Sequence, residues 1–196
     1  MKKHITVAIT GGIGSGKSFL LDILKEKGFS TLSCDKIARE IFEIRKIKKA
    51  LKTLFPSAVS GKIFLSVDRK KLSEIVFSDR HELDKLNALT HPVIIEETIK
   101  RAKKMHSPVF VEVPLLFEGG YQNLFDKIIV VTRSKSTRIK SVIERTGMNE
   151  NDVLLRMKNQ VDYDNMDLSP YVVINNDQTK QHLEKELYSL IQNLFK

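Results

Sequence analysis

Gly11-Gly12-Ile13-Gly14-Ser15-Gly16-Lys17-Ser18 gathers closely spaced glycines, one lysine and one terminal hydroxyl in a single run. That set is suited to gripping a polyphosphate. Glycines let successive N–H groups converge on phosphate oxygens, a lysine supplies the opposing charge, and a serine hydroxyl can join the ligand sphere of a divalent cation. The fixed positions match the Gly-x-x-x-x-Gly-Lys-Ser pattern of a phosphate-binding loop. Its flanks also fit, because Ile5 to Thr10 is an apolar, strand-like run and Phe19, Leu20, Leu21, Ile23 and Leu24 follow with helical spacing. A helix opening near Lys17 would aim its positive dipole end at the same anion. Gly12, Ile13, Gly14, Ser15, Gly16, Lys17 and Ser18 are therefore expected to bind ATP, with Lys17 at the β/γ-phosphates and Ser18 on Mg²⁺.

A phosphate loop is common to many enzymes, so the chemistry must be read at the other strand ends, where ligands of open α/β sheets collect. Phe29 to Ser33 is strand-like and delivers Cys34-Asp35. Asp35 could orient and deprotonate an attacking hydroxyl, or it could cap a helix starting at Lys36. Cys34 is expected at the same rim, either as a small buried filler or as an accessible thiol. A later strand ends in Val113-Pro114-Leu115-Leu116-Phe117-Glu118, where apolar groups could face a bulky ligand and Glu118 could bond a sugar or a cation. A turn packed on the core would read the same way. Glu112 could hold a Mg²⁺-bound water or form a buried pair with Lys17. No hydrophobic strand ends in an Asp-Glu pair, and no Asn-Lys-x-Asp guanine reader occurs, so motor and switch functions lack their usual residues.

The elements that must position these groups follow from periodicity. Strand-like runs fall at 5–10, 29–33, 108–113, 127–132 and 171–175, separated by helical patterns, which predicts an α/β fold with a parallel sheet covered on both faces. About 75 residues with helical spacing and no convincing strand separate the second run from the third, far beyond an ordinary crossover, and read as an inserted helical subdomain. After Thr132 a basic helical pattern ends at Thr146-Gly147, and a second helix is expected with Asn149 as N-cap and Asp152 three positions on. These two helices carry Arg138, Arg145 and Arg156 behind Arg133 and resemble a mobile lid over phosphates. A last helix is expected from about Thr179 to Leu194.

At 196 residues and 41% apolar content the chain can bury one sizeable core. No apolar run approaches a membrane span, and Met1-Lys2-Lys3-His4 lacks a secretory pattern, so a cytoplasmic protein is expected. One cysteine cannot form an internal disulfide, which fits a reducing compartment, and no Cys/His spacing points to zinc. The net charge of +9 concentrates at Lys36–Lys49, Lys100–His106 and Arg133–Arg145. Without interleaved aromatic residues these clusters favour a polyphosphate or solvated helix faces over nucleic acid.

Taken in order, Gly11 to Ser18, Asp35-Lys36-Ile37-Ala38-Arg39-Glu40, Val67-Asp68-Arg69, Leu72 with Val76-Phe77, His91-Pro92, Val113 to Glu118, Arg145, Arg156-Met157 with Gln160, and Ile174-Asn175-Asn176 resemble the dephospho-CoA kinase family over nearly the whole chain. The resemblance implies transfer of the ATP γ-phosphate to the ribose 3′-hydroxyl of dephospho-CoA. The fold it implies is a P-loop, nucleoside-monophosphate-kinase-like α/β domain: core about 1–44, 107–132 and 166–196, acceptor subdomain about 45–106, lid about 133–165. By matched position, Asp35, Lys17 and Arg145 would be catalytic. Arg145 and Asn175 would join the ATP site, while Asp35, Arg39, His91, Pro114, Leu115, Leu116 and Glu118 would receive the acceptor. His91 otherwise reads as a hinge contact before a proline that opens a helix. The chain departs from the family in two places: Ser33-Cys34-Asp35 replaces the common Asp-Ala-Asp, and Ser141 stands where an arginine is frequent, with Arg138 one turn earlier at a usual glutamine position. A kinase for another nucleoside or nucleotide is the neighbouring alternative, and a basic nucleic-acid-binding ATPase the alternative of another class.

Overall fold

The computed structural model describes residues 4–194. The expectation attached to Met1–Lys3 and the chain's final residues, Phe195 and Lys196, lie outside them. The described residues divide into two compact units, one running up to Ser33 and resuming at Ala102, the other comprising residues 34–101.

The first unit is built on a parallel five-stranded sheet. Its strands are β1 (Thr6–Thr10), β2 (Ser30–Ser33), β5 (Val109–Glu112), β6 (Lys127–Thr132) and β7 (Val172–Asn175), ordered β2-β5-β1-β6-β7. Parallel pairing aligns Ile9 with Glu112 and with Ile129, and Ser33 with Glu112, so the carboxyl ends of adjacent strands finish together. Alternation puts Val7, Ile9, Phe110, Ile129, Val131 and Ile174 on one face. They pack against Leu20, Leu21, Ile23 and Leu24 of α1 (Lys17–Glu26) and Leu183, Leu187 and Ile191 of α8 (Lys180–Leu194). Ala8, Val111 and Val130 are buried as well, so the sheet is covered on both faces, as β-branched runs without polar alternation require.

The remaining helices of this unit are α6 (Lys135–Thr146) and α7 (Glu150–Lys158). Gly147 closes α6 at φ 70°, the left-handed conformation a glycine adopts without a Cβ penalty, and Asn149 caps α7 by accepting from the Asp152 N–H at 2.9 Å. Both ends match the expected punctuation.

The second unit contains α2 (Cys34–Glu40), α3 (Arg45–Leu54), α4 (Arg69–Ser78) and most of α5 (Arg80–Ala102). Ile47 and Leu51 of α3, one turn apart, meet Phe55, Ala58, Val59, Leu72 and Val76 in a core of its own. Two findings differ from the expectation. The insertion contains a short antiparallel pair, β3 (Val59–Ser60) with β4 (Ser66–Val67), and the second unit begins at Cys34 and ends at Arg101, where the sequence placed about 45 and 106. The Arg39 carbonyl accepts from Arg69, the Arg69 guanidinium lies 5.5 Å over the Phe42 ring, and Phe42 packs on the α3–α4 core, so residues 34–44 fold with the insertion. Asp68, inside the Val67-Asp68-Arg69 motif, caps α4 through the Lys71 N–H at 3.0 Å.

His91-Pro92 does not open a helix. Pro92 lies inside the 23-residue α5, which continues past it. Proline removes one backbone donor, but Leu83, Leu86 and Leu89 before it and Val93 after it all pack on the same core, and that shared burial keeps the helix in one piece.

Candidate functional site

The phosphate loop joins β1 to α1, and its glycines are dictated by the walls around it. A Cβ on Gly11 would strike the Val131 carbonyl at the end of β6, and one on Gly16, itself at φ 97°, would overlap the Asn176 carboxamide. A Cβ on Gly12 would lie 2.5 Å from an Arg138 guanidinium nitrogen, and one on Gly14 equally close to the Arg138 carbonyl oxygen. Residues from β6, α6 and the end of β7 thus press on the loop backbone, where only hydrogen atoms fit.

The loop's functional groups are already engaged. Lys17, buried at the first position of α1, donates to the Gly11 carbonyl at 2.7 Å and the Gly12 carbonyl at 3.0 Å. The Ile13 N–H donates to Gln160 Oε1 at 2.7 Å. Ser18 Oγ donates to Glu112 Oε1 at 2.6 Å, and Ser33 Oγ donates to the other oxygen of the same carboxylate at 3.1 Å. Glu112 is buried, so these hydroxyls supply bonds a desolvated carboxylate needs. Glu112 thus stands beside Ser18, the residue expected on Mg²⁺. The Ser33 that replaces the family's first aspartate becomes a donor to Glu112.

Asn175 and Asn176 meet different surroundings. Asn175 is exposed and its Oδ1 accepts from the Asp177 N–H at 2.8 Å, closing a local turn. Asn176 is buried and donates from Nδ2 to the Ser15 carbonyl at 2.8 Å. Strand alternation decides this: Ile174 points into the sheet core, so the next residue faces away, and the chain must leave the strand before an amide turns to the loop.

The turn after β5 also divides. Leu116 is fully buried and belongs to the core, not to a ligand surface, whereas Leu115 is exposed and Pro114 half-buried. Glu118 accepts from the Val161 N–H at 3.0 Å, and Phe117 sits against the rings of Tyr163 and Tyr171 at 5.9 and 5.1 Å. The tight turn places its apolar side chains alternately inward and outward, which composition alone could not resolve. Tyr163 in turn holds Thr10 Oγ1 at 3.1 Å, and burial pushes its phenol up to about 12.

Arg145 lies exposed in the last turn of α6, and Arg156 is exposed on α7. Arg138 is buried and donates to both Asp164 carboxylate oxygens, at 2.7 and 2.6 Å. Arg133 donates to Ser141 Oγ at 2.8 Å, so a guanidinium reaches the position where the chain lacks the frequent arginine. Tyr163 had no place in the expectation; Arg138, Gln160 and Asn176 entered it as lid or motif residues, without these contacts to the loop. The loop glycines signal only that something approaches closely, not what does.

In the second unit Asp35 is exposed in the first turn of α2, without a hydrogen bond or ion pair to another described residue. The helix begins at Cys34, directly after β2, so Asp35 sits within its first turn and does not cap it as the alternative reading held. Arg39 is exposed in the last turn of the same helix. Cys34 is buried with its Sγ 3.6 Å from Thr98 Oγ1, which favours the filler reading over an accessible thiol. His91 is half-buried in α5, and burial holds its imidazole below the usual histidine range.

Ser18 and Glu112 present two hard oxygen donors side by side, a sparse set that would suit Mg²⁺, which takes much of its sphere from phosphates and water. Among the described residues no group of three or more His, Cys, Asp or Glu side chains is placed to hold a metal. No helix among them is long and apolar enough to cross a membrane.

Comparison with known proteins gives a consistent result. The family described as dephospho-CoA kinase matches residues 5–182. A dephospho-CoA kinase of Helicobacter pylori is 34% identical over 193 residues, covering 96% of both chains. A crystal structure of a Thermus thermophilus protein superposes over the full length of both chains with a TM-score of 0.82 at 32% identity. The dephospho-CoA kinase from Campylobacter jejuni, 29% identical, gives a TM-score of 0.68 over 97% of this chain and 96% of its own.

Proposed function

The chain belongs to the dephospho-CoA kinase family, the enzymes that phosphorylate dephospho-CoA with ATP in coenzyme A biosynthesis, and from that premise we propose how its own residues divide the work. The loop from Gly12 to Ser18 binds the ATP phosphates. Its backbone amides and Lys17 hold the charge that moves off the γ-phosphoryl group as the bridging bond to the β-phosphate breaks. Ser18 and Glu112 would hold Mg²⁺, which when bound neutralises phosphate charge. Asp35 accepts the proton of the ribose 3′-hydroxyl while that oxygen bonds to the γ-phosphorus, and ADP leaves with the electron pair of the broken bond.

Arg145, free to reorient at the end of its helix, closes on the transferring group, and residues 133–165 act as the lid. Arg39, His91, Pro114, Leu115 and Glu118 contribute to acceptor recognition. The buried lone cysteine suits a cytoplasmic enzyme.

The observation that carries this reading is the state of the two key carboxylates. Glu112 is buried and committed to Ser18, while Asp35 is exposed with its oxygens uncommitted, as a proton acceptor must be. The test is Asp35→Asn, assayed by mass detection of CoA from ATP, Mg²⁺ and dephospho-CoA. We expect kcat to fall about 100-fold or more with ATP affinity retained. A near-wild-type kcat would remove Asp35 from the chemistry.

A further inference from the structure

Arg138 touches the phosphate loop from both ends of the residue. Its guanidinium Nη1 lies where a side chain on Gly12 would stand, and its main-chain carbonyl lies where one on Gly14 would stand. The side chain is only 6% exposed, both bonds to Asp164 leave from Nη2, and Nε is buried without a partner. Asp164 itself is half exposed. It follows Tyr163, which bonds Thr10 just before the loop, and lies four residues after Gln160, which bonds the Ile13 N–H.

We propose that Arg138, held by Asp164, is a positioning residue that fixes the phosphate loop for ATP. Gly12 and Gly14 have no side chains with which to anchor themselves, so the loop takes its place from the surfaces pressed against it. Of these, Arg138 is the one whose own position depends on a charge pair. A planar guanidinium can lie against a bare Cα, and its fork fixes the plane. Its charge is already answered by Asp164, so its action on ATP passes through the loop backbone, and the loop's amides must be placed to well within an ångström to stabilise transferring charge. Segment 160–164 thereby holds the loop at Thr10, at Ile13 and, through Arg138, at Gly12 and Gly14.

The proposal rests on the reading that this loop binds ATP, so Lys17→Ala serves as the reference. Arg138→Gln, Asp164→Asn and the double variant are compared in the full-length enzyme. The measurements are KM for each substrate, ATP affinity by calorimetry and thermal midpoint. We expect Arg138→Gln and Asp164→Asn each to weaken ATP binding about tenfold, with KM for dephospho-CoA changed less than about twofold. The double variant should be no worse than Arg138→Gln alone, since the two residues act as one unit.

ATP affinity unchanged in Asp164→Asn and Arg138→Gln, with Lys17→Ala defective, overturns the proposal and leaves the loop's function standing. Unchanged affinity in Lys17→Ala overturns the loop reading itself. Tighter ATP binding in Asp164→Asn would make Arg138 a direct phosphate ligand, released when its carboxylate partner is lost. A parallel rise in both KM values with a lowered thermal midpoint would reduce the pair to general stability. Should Arg138→Gln fail to fold, Asp164→Asn decides alone, because it alters a half-exposed side chain.

Discussion

Gly16→Ala and Gly28→Ala form a matched pair of perturbations, because both positions are left-handed but only one is crowded. Gly28 has φ 84° and nothing within 4 Å of where an added methyl group would stand, whereas Gly16 has φ 97° with the Asn176 carboxamide in the way. At Gly28 the cost is backbone alone: about 1–2 kcal/mol for the left-handed conformation, offset by about 0.4–1 kcal/mol from the reduced freedom of the unfolded chain. The net loss is therefore on the order of 1 kcal/mol. At Gly16 the same strain is joined by displacement of Asn176, whose 2.8 Å bond to the Ser15 carbonyl is lost. Leaving those buried groups unsatisfied adds about 1–3 kcal/mol.

Urea unfolding should therefore place Gly16→Ala below Gly28→Ala by about 1–3 kcal/mol at similar m-values. Calorimetry should show ATP binding lost or weakened at least about tenfold in Gly16→Ala alone, since the amide at this position belongs to the phosphate-binding run. Equal stabilities within about 0.5 kcal/mol, together with equal ATP affinities, would refute the reasoning that a neighbour's close approach, and not conformation alone, requires glycine at 16.

Two further outcomes follow from burial. Leu116→Ala should cost about 2–5 kcal/mol of stability while leaving KM for dephospho-CoA close to wild type, because the side chain is fully buried; a selective rise in that KM with unchanged stability would return Leu116 to the acceptor surface. Tyr163, with its phenol raised to about 12 by burial, is favoured in its protonated form by the fold, so its contribution is complete below about pH 10 and is lost as pH climbs toward 12. Tyr163→Phe should flatten that part of the stability–pH curve in urea titrations, and an unchanged slope would show that another group governs it.

The sequence made the strand, glycine turn and helix of the phosphate loop legible because the three are contiguous, and local pattern determines all of them. The Gly147 and Asn149 punctuation of the two Arg-bearing helices was readable for the same reason. Contacts across the chain were not. Arg138 on Gly12, Asn176 on Ser15 and Gln160 on Ile13 join residues separated by more than 100 positions, and no periodicity encodes which side chain arrives. His91-Pro92 shows the opposite failure, a strong local signal overridden by burial on both sides of the proline. Leu115 and Leu116 are chemically identical neighbours, and only the turn's geometry sends one to solvent and the other to the core.

The bonds from Lys17 to the Gly11 and Gly12 carbonyls, from Ile13 to Gln160 and from Ser18 to Glu112 give nucleotide capture the character of an exchange reaction. Where a group that turns to a phosphate gives up a partner inside the protein, as the Ile13 N–H does with Gln160, the enthalpy of the new bond is largely cancelled by the old. A ligand that replaces one of these contacts gains little, and one that replaces several together gains the difference on all of them. Inorganic phosphate or sulfate is therefore expected to compete poorly with a triphosphate in a displacement titration.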